Sequence, residues 1–459
     1  IRAIGYDMDY TLIHYRTDKW EERAYERLRL KLLDRGWPLD GLSFDPHLVI
    51  RGLILDVELG NSLKADRFGY VKRAAHGTKF MDFEAQRKAY ARTIVDLSEP
   101  RYVFLNTLFS LSEGCMYAQL VDLLDQGRLD GVRGYDDLYR AVKTALDAAH
   151  VEGELKAEIT ENPGEFVVAD PEAALALYDQ RMAGKKLVLI TNSEWPYTRA
   201  MMSYAFDPYL PGDTTWRDLF DLVIVSARKP KFFLERLPHF EVVSEDGLLR
   251  PDVGKMQEGR AYLGGDARLV EECLGLSGSE ILYVGDHLYV DVRVTKQILR
   301  WRTALVVPEL EPELDALEAF RTEQTQLDLL MAEKEAIEHR VAVRRLEILR
   351  ADAGGPPART RDQIETELDR LFDRLRALDE KVAPIARQAS ELANTGWGLI
   401  MRAGADKSHF ARQVERYSDV YLTRVSNFYH ETPFCYLRSR PGGLPHDHVI
   451  GQVRADYET

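Results

Sequence analysis

The chain has 459 residues, 45% of them hydrophobic and 30% charged, which excludes a disordered, collagen-like or disulfide-stapled protein and predicts two or three structural units of about 100–200 residues. Its 61 basic residues against 75 acidic ones leave a net charge of −14. An acidic surface disfavours sequence-independent binding to phosphate backbones, so no nucleic-acid partner is expected.

Residues 1–6 predict a short buried strand that leads into DMDYTL. They do not read as a signal peptide, and chemistry as early as Asp7 suggests a numbering that begins just inside the natural start. From 20 to 35, Leu28, Leu32 and Leu33 recur among charges, which predicts a helix ending at Gly36, Trp37 and Pro38. Within 39–164, RGLILDVELGNSLKADRFGYV predicts a β-meander with a turn at 66–69, and 141–150 and 154–159 read as helical. From Lys185 the signal changes to four nearly continuous apolar runs, KKLVLIT, FDLVIVSA, SEILYVGD and RTALVVP. Strands covered on both faces read this way, as in a parallel sheet flanked by helices. With 1–6 they make five strands, so the expected fold class is α/β, with the long segment after the first strand as an insertion.

Beyond Pro312 the sequence is charged and helical to about 350, and Gly354, Gly355, Pro356 and Pro357 interrupt it. Ile364, Leu368, Leu371, Leu375, Leu378, Val382 and Ile385 then alternate spacings of four and three, a heptad seam. This predicts an antiparallel helical hairpin, read as a structural arm, with a partner-binding coiled coil as the alternative. The expected division is 1–38 and 165–312 for the core, 39–164 for an inserted α+β cap, 313–394 for the hairpin, and 395–459 for a C-terminal segment packed on the body. Cys115, Cys273 and Cys435 are far apart, with no zinc or disulfide spacing, which fits a reducing, cytoplasmic setting. No apolar run approaches the ~18–20 residues of a membrane span, so no membrane partner is expected.

The chemistry lies at the strand ends. Asp7 and Asp9 follow the first strand, where extended geometry would point both carboxylates one way. Two such charges repel and need a cation or a shared proton to coexist, and a hard divalent ion such as Mg²⁺ answers that need. One carboxylate could attack phosphorus while the other acts as acid and base. Strand two ends in Thr191, Asn192 and Ser193, which offer hydroxyl and amide groups to phosphate oxygens. Strand three leads to Lys229, a cation, and strand four ends in GDHLYVD, which adds Asp286 and Asp291. Each signal alone fits ordinary surface polarity; the ordered set of four does not. His446, Asp447 and His448 look like metal ligands but read as loop chemistry.

This set resembles the haloacid-dehalogenase-like phosphohydrolases: DMDYT matches the first motif, and Thr191, Lys229 and GDHLYVD match the next three. FGYVKRAAHG, NTLFSLSE, LVLITNSEWPYTRAMMSYAFD, ARKPKFF, WRTALVVPEL and NTGWGLIMRAG extend the likeness along nearly the whole chain to the cytosolic purine 5′-nucleotidases, which prefer IMP and GMP. The resemblance implies a Rossmann-like core with a cap, and Mg²⁺-dependent hydrolysis of purine nucleoside monophosphates through an aspartyl-phosphate, with phosphotransfer to a second nucleoside in some members. It implies that Asp7 is the nucleophile and Asp9 the general acid/base. Mg²⁺ would sit on the Asp7 carboxylate, the Asp9 main-chain carbonyl and Asp286, with Asp291 in support. Thr191, Asn192 and Lys229 would hold the phosphoryl group. Phe109 would stack on the purine, and Asp147, His150 and Lys156 would contact base and sugar. Lys143 stands where an arginine is expected, so base discrimination would differ. Asn106 and Tyr289 match an effector site of some members, but Gln297 replaces its lysine. A homo-oligomer is expected. The alternatives are a phosphatase of the same fold acting on another metabolite, and a nucleotide sensor without turnover.

Overall fold

The computed structural model describes residues 1–437 apart from Glu152, Val253 and 356–358, and apart from the side chains of His150 and Val151. Contacts divide the chain into two units. Ile1–Arg16, Lys156–Val307 and Val414–Thr459 make the first, and Thr17–Leu155 and Pro308–Gln413 make the second.

The first unit is built on a sheet of nine strands: β1 (Ala3–Tyr6), β2 (Lys186–Ile190), β3 (Leu222–Val225), β4 (His239–Val242), β5 (Leu249–Asp252), β6 (Arg260–Gly264), β7 (Ile281–Gly285), β8 (Arg302–Val306) and β9 (Val420–Leu422). Their spatial order is β5-β4-β6-β3-β2-β1-β7-β8-β9. The seven strands from β6 to β9 in that order pair in parallel, and β4 and β5 add an antiparallel edge. The five strands predicted from apolar runs are β1, β2, β3, β7 and β8. Every residue of β1, β3 and β7 is buried, as two-sided coverage requires. Burying each Val, Leu or Ile stabilises by roughly 1.5–3 kcal/mol, and the core beneath the sheet adds Phe232, Phe233, Tyr283 and Trp301. The remaining four strands, HFEV, LRPD, RAYLG and VYL, are short, and none holds more than three apolar residues in a row.

In the second unit, Ile54–Asp56, Asn61–Ala65, Val71–His76, Lys79–Phe80 and Tyr102–Phe104 form an antiparallel sheet. The turn before Val71 is an Asx turn: the Asp66 carboxylate accepts the N–H groups of Phe68 (2.9 Å) and Tyr70 (3.1 Å), and Gly69 takes the required positive φ of 93°. The helix Thr17–Leu33, expected with the core, packs instead on Tyr135–Val151 and Leu111–Asp125 in this unit. Its buried residues Trp20, Ala24, Tyr25, Leu28 and Leu32 follow helical periodicity. Arg321–Asp352 and Arg361–Ser390 pair as a hairpin, with Ile337 and Val341 of the first helix against Ile364, Leu368, Leu371 and Leu378 of the second.

Candidate active site

Strand order reverses at β1: the chain builds β2 and β3 on one side of it and β7 and β8 on the other. The carboxyl ends of strands at such a switch point form a ready crevice in an open α/β sheet. Asp7 emerges there and extends the ladder by one bond, its N–H donating to the Val284 carbonyl (2.9 Å). Thr191 follows β2, Asp286 follows β7, and Lys229 lies four residues past β3. Three non-glycine residues in these loops hold a left-handed φ: Tyr10 (52°), Ser226 (45°) and Arg228 (62°). Backbone in that region costs of order 1–3 kcal/mol per residue and persists where surrounding structure fixes it.

At the centre, carboxylate oxygens of Asp7, Asp286 and Asp291 lie within 4.8 Å of one another, and all three residues are buried. Lys229 Nζ sits 2.8 Å from Asp7 Oδ1 and 2.8 Å from Asp291 Oδ1, and 3.2 Å from the Tyr283 hydroxyl. Burial pushes the Asp7 carboxyl up; Lys229 pulls it down, Asp291 and Asp286 push it up again, and the net position is well above the ordinary range. Burial pulls Lys229 down, but the charges of Asp291 and Asp7 outweigh it and hold the ammonium well above its usual range. Asp291 is fixed from its own turn, where Oδ2 accepts the His287 N–H (3.1 Å). Gly285 makes room for it: a Cβ at that position would lie 2.6 Å from Asp291 Cβ and Cγ.

Asp9 occupies a different environment. Its Oδ1 accepts the Tyr15 hydroxyl (2.6 Å) and its Oδ2 accepts the Ser193 hydroxyl (2.5 Å). Ser193 Oγ in turn accepts Lys156 Nζ (2.8 Å), and the Tyr15 and Tyr197 hydroxyls are 2.8 Å apart. Lys156 also stands 4.8 Å from the Tyr197 ring centroid. The two aspartates are thus separated in chemistry as well as in sequence: one faces a buried ammonium, the other a set of hydroxyls. Asn192 is clamped to the Lys229 backbone, its Oδ1 accepting the Lys229 N–H (2.6 Å) and its Nδ2 donating to the Lys229 carbonyl (3.3 Å). Thr191 is fully buried, and its Oγ1 accepts the Ser193 N–H (3.0 Å).

Three buried carboxylates against one lysine leave a local excess of negative charge. A divalent cation fits that donor set, since hard oxygen ligands are what Mg²⁺ binds. Comparison with known proteins agrees with this chemistry: the profile of the 5′ nucleotidase family matches residues 1–449. The chain belongs to that family. It is also similar to the human 5′-nucleotidase domain-containing protein 2, with 26% identity over 441 residues, covering 93% of this chain and 78% of the human protein. The family makes the chain a 5′-nucleotidase hydrolase, and such enzymes are generally dependent on a divalent metal.

Of the nucleotidase's remaining candidates, Phe109, Lys143 and Asp147 lie in the second unit. Phe109 is half-buried, its ring edge-on to Trp20 at 5.6 Å between centroids. Lys143 pairs with Asp147 (3.3 Å) and Glu113 (3.6 Å) on a half-exposed helix face. The side chain of His150 and the whole of 446–448 lie outside the described residues. Lys156 falls in the first unit, where its Nζ donates to the Ser193 hydroxyl. Gln297 Oε1 accepts Arg293 Nε (3.3 Å), and Asn106 Nδ2 donates to the Phe104 carbonyl (3.1 Å). The sequence reading missed Tyr15, Tyr197 and Tyr283. Aromatic residues inside apolar stretches read as core, and here their rings are core while their hydroxyls serve the site.

Proposed function

We propose that the enzyme hydrolyses purine nucleoside 5′-monophosphates, IMP and GMP foremost, with Mg²⁺ and through a phosphoryl group carried on Asp7. The observation that carries this reading is the buried set Asp7–Lys229–Asp291 with Asp286, at the carboxyl ends of the strands. Asp7 attacks phosphorus, the ester bond to the nucleoside oxygen breaks, and Asp9 delivers a proton to that oxygen. Asp9 then takes a proton from water as the water attacks the phosphorus of the aspartyl-phosphate, which releases phosphate and restores Asp7. Lys229 and Thr191 stabilise the negative charge on the transferring group. Tyr15 and Ser193 hold the Asp9 carboxylate in place between the two steps. Mg²⁺ would be held by Asp7, the Asp9 carbonyl and Asp286, and supplies charge neutralisation for the phosphoryl oxygens. Release to a nucleoside hydroxyl instead of water would give phosphotransfer.

The haloacid-dehalogenase-like core with a cap, and the assignment of base and sugar contacts to Phe109, Lys143, Asp147, His150 and Lys156, come from the resemblance alone. A reducing cytoplasmic setting agrees with the three free cysteines. The second reading, a phosphatase of another phosphorylated metabolite, gains from two observations: Phe109 already packs on Trp20, and Asp147 already pairs with Lys143. A phosphate-release screen over nucleoside monophosphates and sugar phosphates, run after EDTA treatment and again with Mg²⁺ restored, separates the readings. The proposal expects no release after EDTA, recovery with Mg²⁺, and kcat/KM for IMP and GMP above that for CMP and UMP. Full turnover without metal, or equal use of pyrimidine nucleotides, contradicts it.

A further inference from the structure

The first hairpin helix, Arg321–Asp352, has two apolar seams. One faces the second hairpin helix: Leu330, Ile337, Val341 and Ile348 pack against its heptad residues. The other is displaced by two residues and consists of Leu329, Ala332, Ala336, His339, Val343 and Leu346, at spacings of three, four, three, four and three. Two residues turn an α-helix by about 200°, so this second seam lies nearly opposite the first. All six of its residues are exposed; Leu329 is 69% exposed, Leu346 44% and Val343 37%. By contrast, Ile364, Leu368, Leu371, Leu375 and Leu378 of the second hairpin helix all pack into the hairpin core. A seam that keeps the three–four alternation over this length is the pattern of a helix that pairs along its whole face.

We infer that this outer seam joins two copies of the chain, their first hairpin helices packed antiparallel. The occupant is a second copy because the helix is complementary to itself when reversed. Its first half, 321–336, carries four acids against two bases; its second half, 337–352, carries Arg340, Arg344, Arg345 and Arg350 against three acids. Reversed about a point between Ile337 and Glu338, Leu329 meets Leu346 of the second copy, Ala332 meets Val343, and Ala336 meets His339. Small residues thus sit opposite larger ones through the middle. The flanking positions then bring Glu333 against Arg340 twice per dimer and create no like-charge contact. In parallel register the same helix would set Asp328 against Glu333 and stack His339 on itself. Arg340 is exposed and Glu333 half-exposed; Glu333 now pairs with Arg374, and Arg340 with Glu367, which Arg344 and Arg359 also hold, so Glu367 keeps two partners when Arg340 turns to a second copy. The inference stands on the hairpin alone and is independent of the catalytic reading.

Sedimentation velocity of the full chain over a dilution series tests it. The wild type should be a dimer, and Leu346→Glu should raise the dimer Kd by at least ~100-fold, since two buried leucine layers are lost per dimer. The inner seam is untouched by that substitution, so far-UV circular dichroism should show an unchanged helix content. Arg340→Glu should weaken the dimer about threefold to tenfold, and adding Glu333→Arg should restore it. A monomeric wild type, or a dimer indifferent to Leu346→Glu, overturns the inference. A double variant no tighter than Arg340→Glu alone overturns the antiparallel register.

Discussion

Among the described residues two lysines are buried, Lys229 in the first unit and Lys64 in the second, and their surroundings differ. Lys229 in the first unit touches two carboxylates at 2.8 Å, and their charges hold its ammonium well above the ordinary range despite burial. Lys64 in the second unit donates to the carbonyls of Trp397 and Leu399, the latter at 2.7 Å. Burial lowers it to about 7, with Glu313 compensating in part. Both amines are hydrogen-bonded, but only Lys229 touches carboxylates that outweigh its burial; Glu313 offsets the burial of Lys64 only in part. Carbonyl dipoles satisfy donors, but they do not replace the hydration of a full charge as two carboxylates do. The first arrangement maintains a cation where phosphoryl charge would collect, and the second ties the segment around Trp397 to the sheet.

Substituting each lysine sharpens that contrast. Lys229→Met strips the counter-charge from two buried carboxylates, so stability should fall by about 3–5 kcal/mol and turnover by about 10²–10³ or more. Denaturant titration and kcat measurements check both, and a variant that retains either would break the comparison. Gly285→Ala should come next: the new Cβ must push Asp291 aside, which displaces Lys229. A misplacement of about 1 Å at reacting groups costs on the order of 10²-fold in kcat, and steady-state kinetics with unchanged circular dichroism would show it. Lys64→Met leaves two carbonyls unpaired but relieves a poorly solvated amine. It should cost about 1–3 kcal/mol, read from the denaturation midpoint, with turnover unchanged.

An effect that depends on pH concerns Glu21, buried on the helix Thr17–Leu33 with one oxygen accepting the Ser112 N–H (2.8 Å). Burial raises its carboxyl to about 8, against Ser112, which lowers it. The folded protein therefore keeps this proton up to about pH 8, while the unfolded chain releases it near 4.5. The stability this gives is fully present below 4.5 and is lost as pH rises through about 8. Glu21→Gln keeps the acceptor and removes the titration. The variant should gain stability over the wild type at about pH 8 and not at about pH 4; urea midpoints that shift equally at both values contradict the assignment.

The placement of much of the candidate site was legible because two signals coincide in sequence. Continuous apolar runs mark buried parallel strands, and a polar residue directly after each run marks a strand end, which is how Asp7, Thr191 and Asp286 announce themselves. Lys229 was legible as the cation after the third run. The strands β4, β5, β6 and β9 were not, since three to five residues with at most three apolar ones in a row give no periodicity to count. Tyr15, Tyr197 and Tyr283 were hidden by their own rings, which satisfy the apolar pattern and leave no trace of the hydroxyl's task. Lys156 was assigned to the base and sugar, and its position beside Ser193 depends on a contact 37 residues away in sequence. The helix Thr17–Leu33 shows its buried face plainly in sequence, but not which unit that face meets.

The central claim is that Asp7 carries the phosphoryl group while Asp9, held by Tyr15 and Ser193, protonates the leaving oxygen. Rapid-mixing kinetics of Asp9→Asn with p-nitrophenyl phosphate test it most directly. A nucleoside alkoxide needs the proton and p-nitrophenolate does not, so the variant should lose ~10²–10⁴-fold in the first step with IMP and far less with the nitrophenyl ester. Hydrolysis of the aspartyl-phosphate should then limit turnover, giving a burst of about one p-nitrophenolate per site, with phosphate recovered on Asp7 after acid quenching. Equal first-step losses on both esters, with no burst and no phosphate on Asp7, would contradict the account.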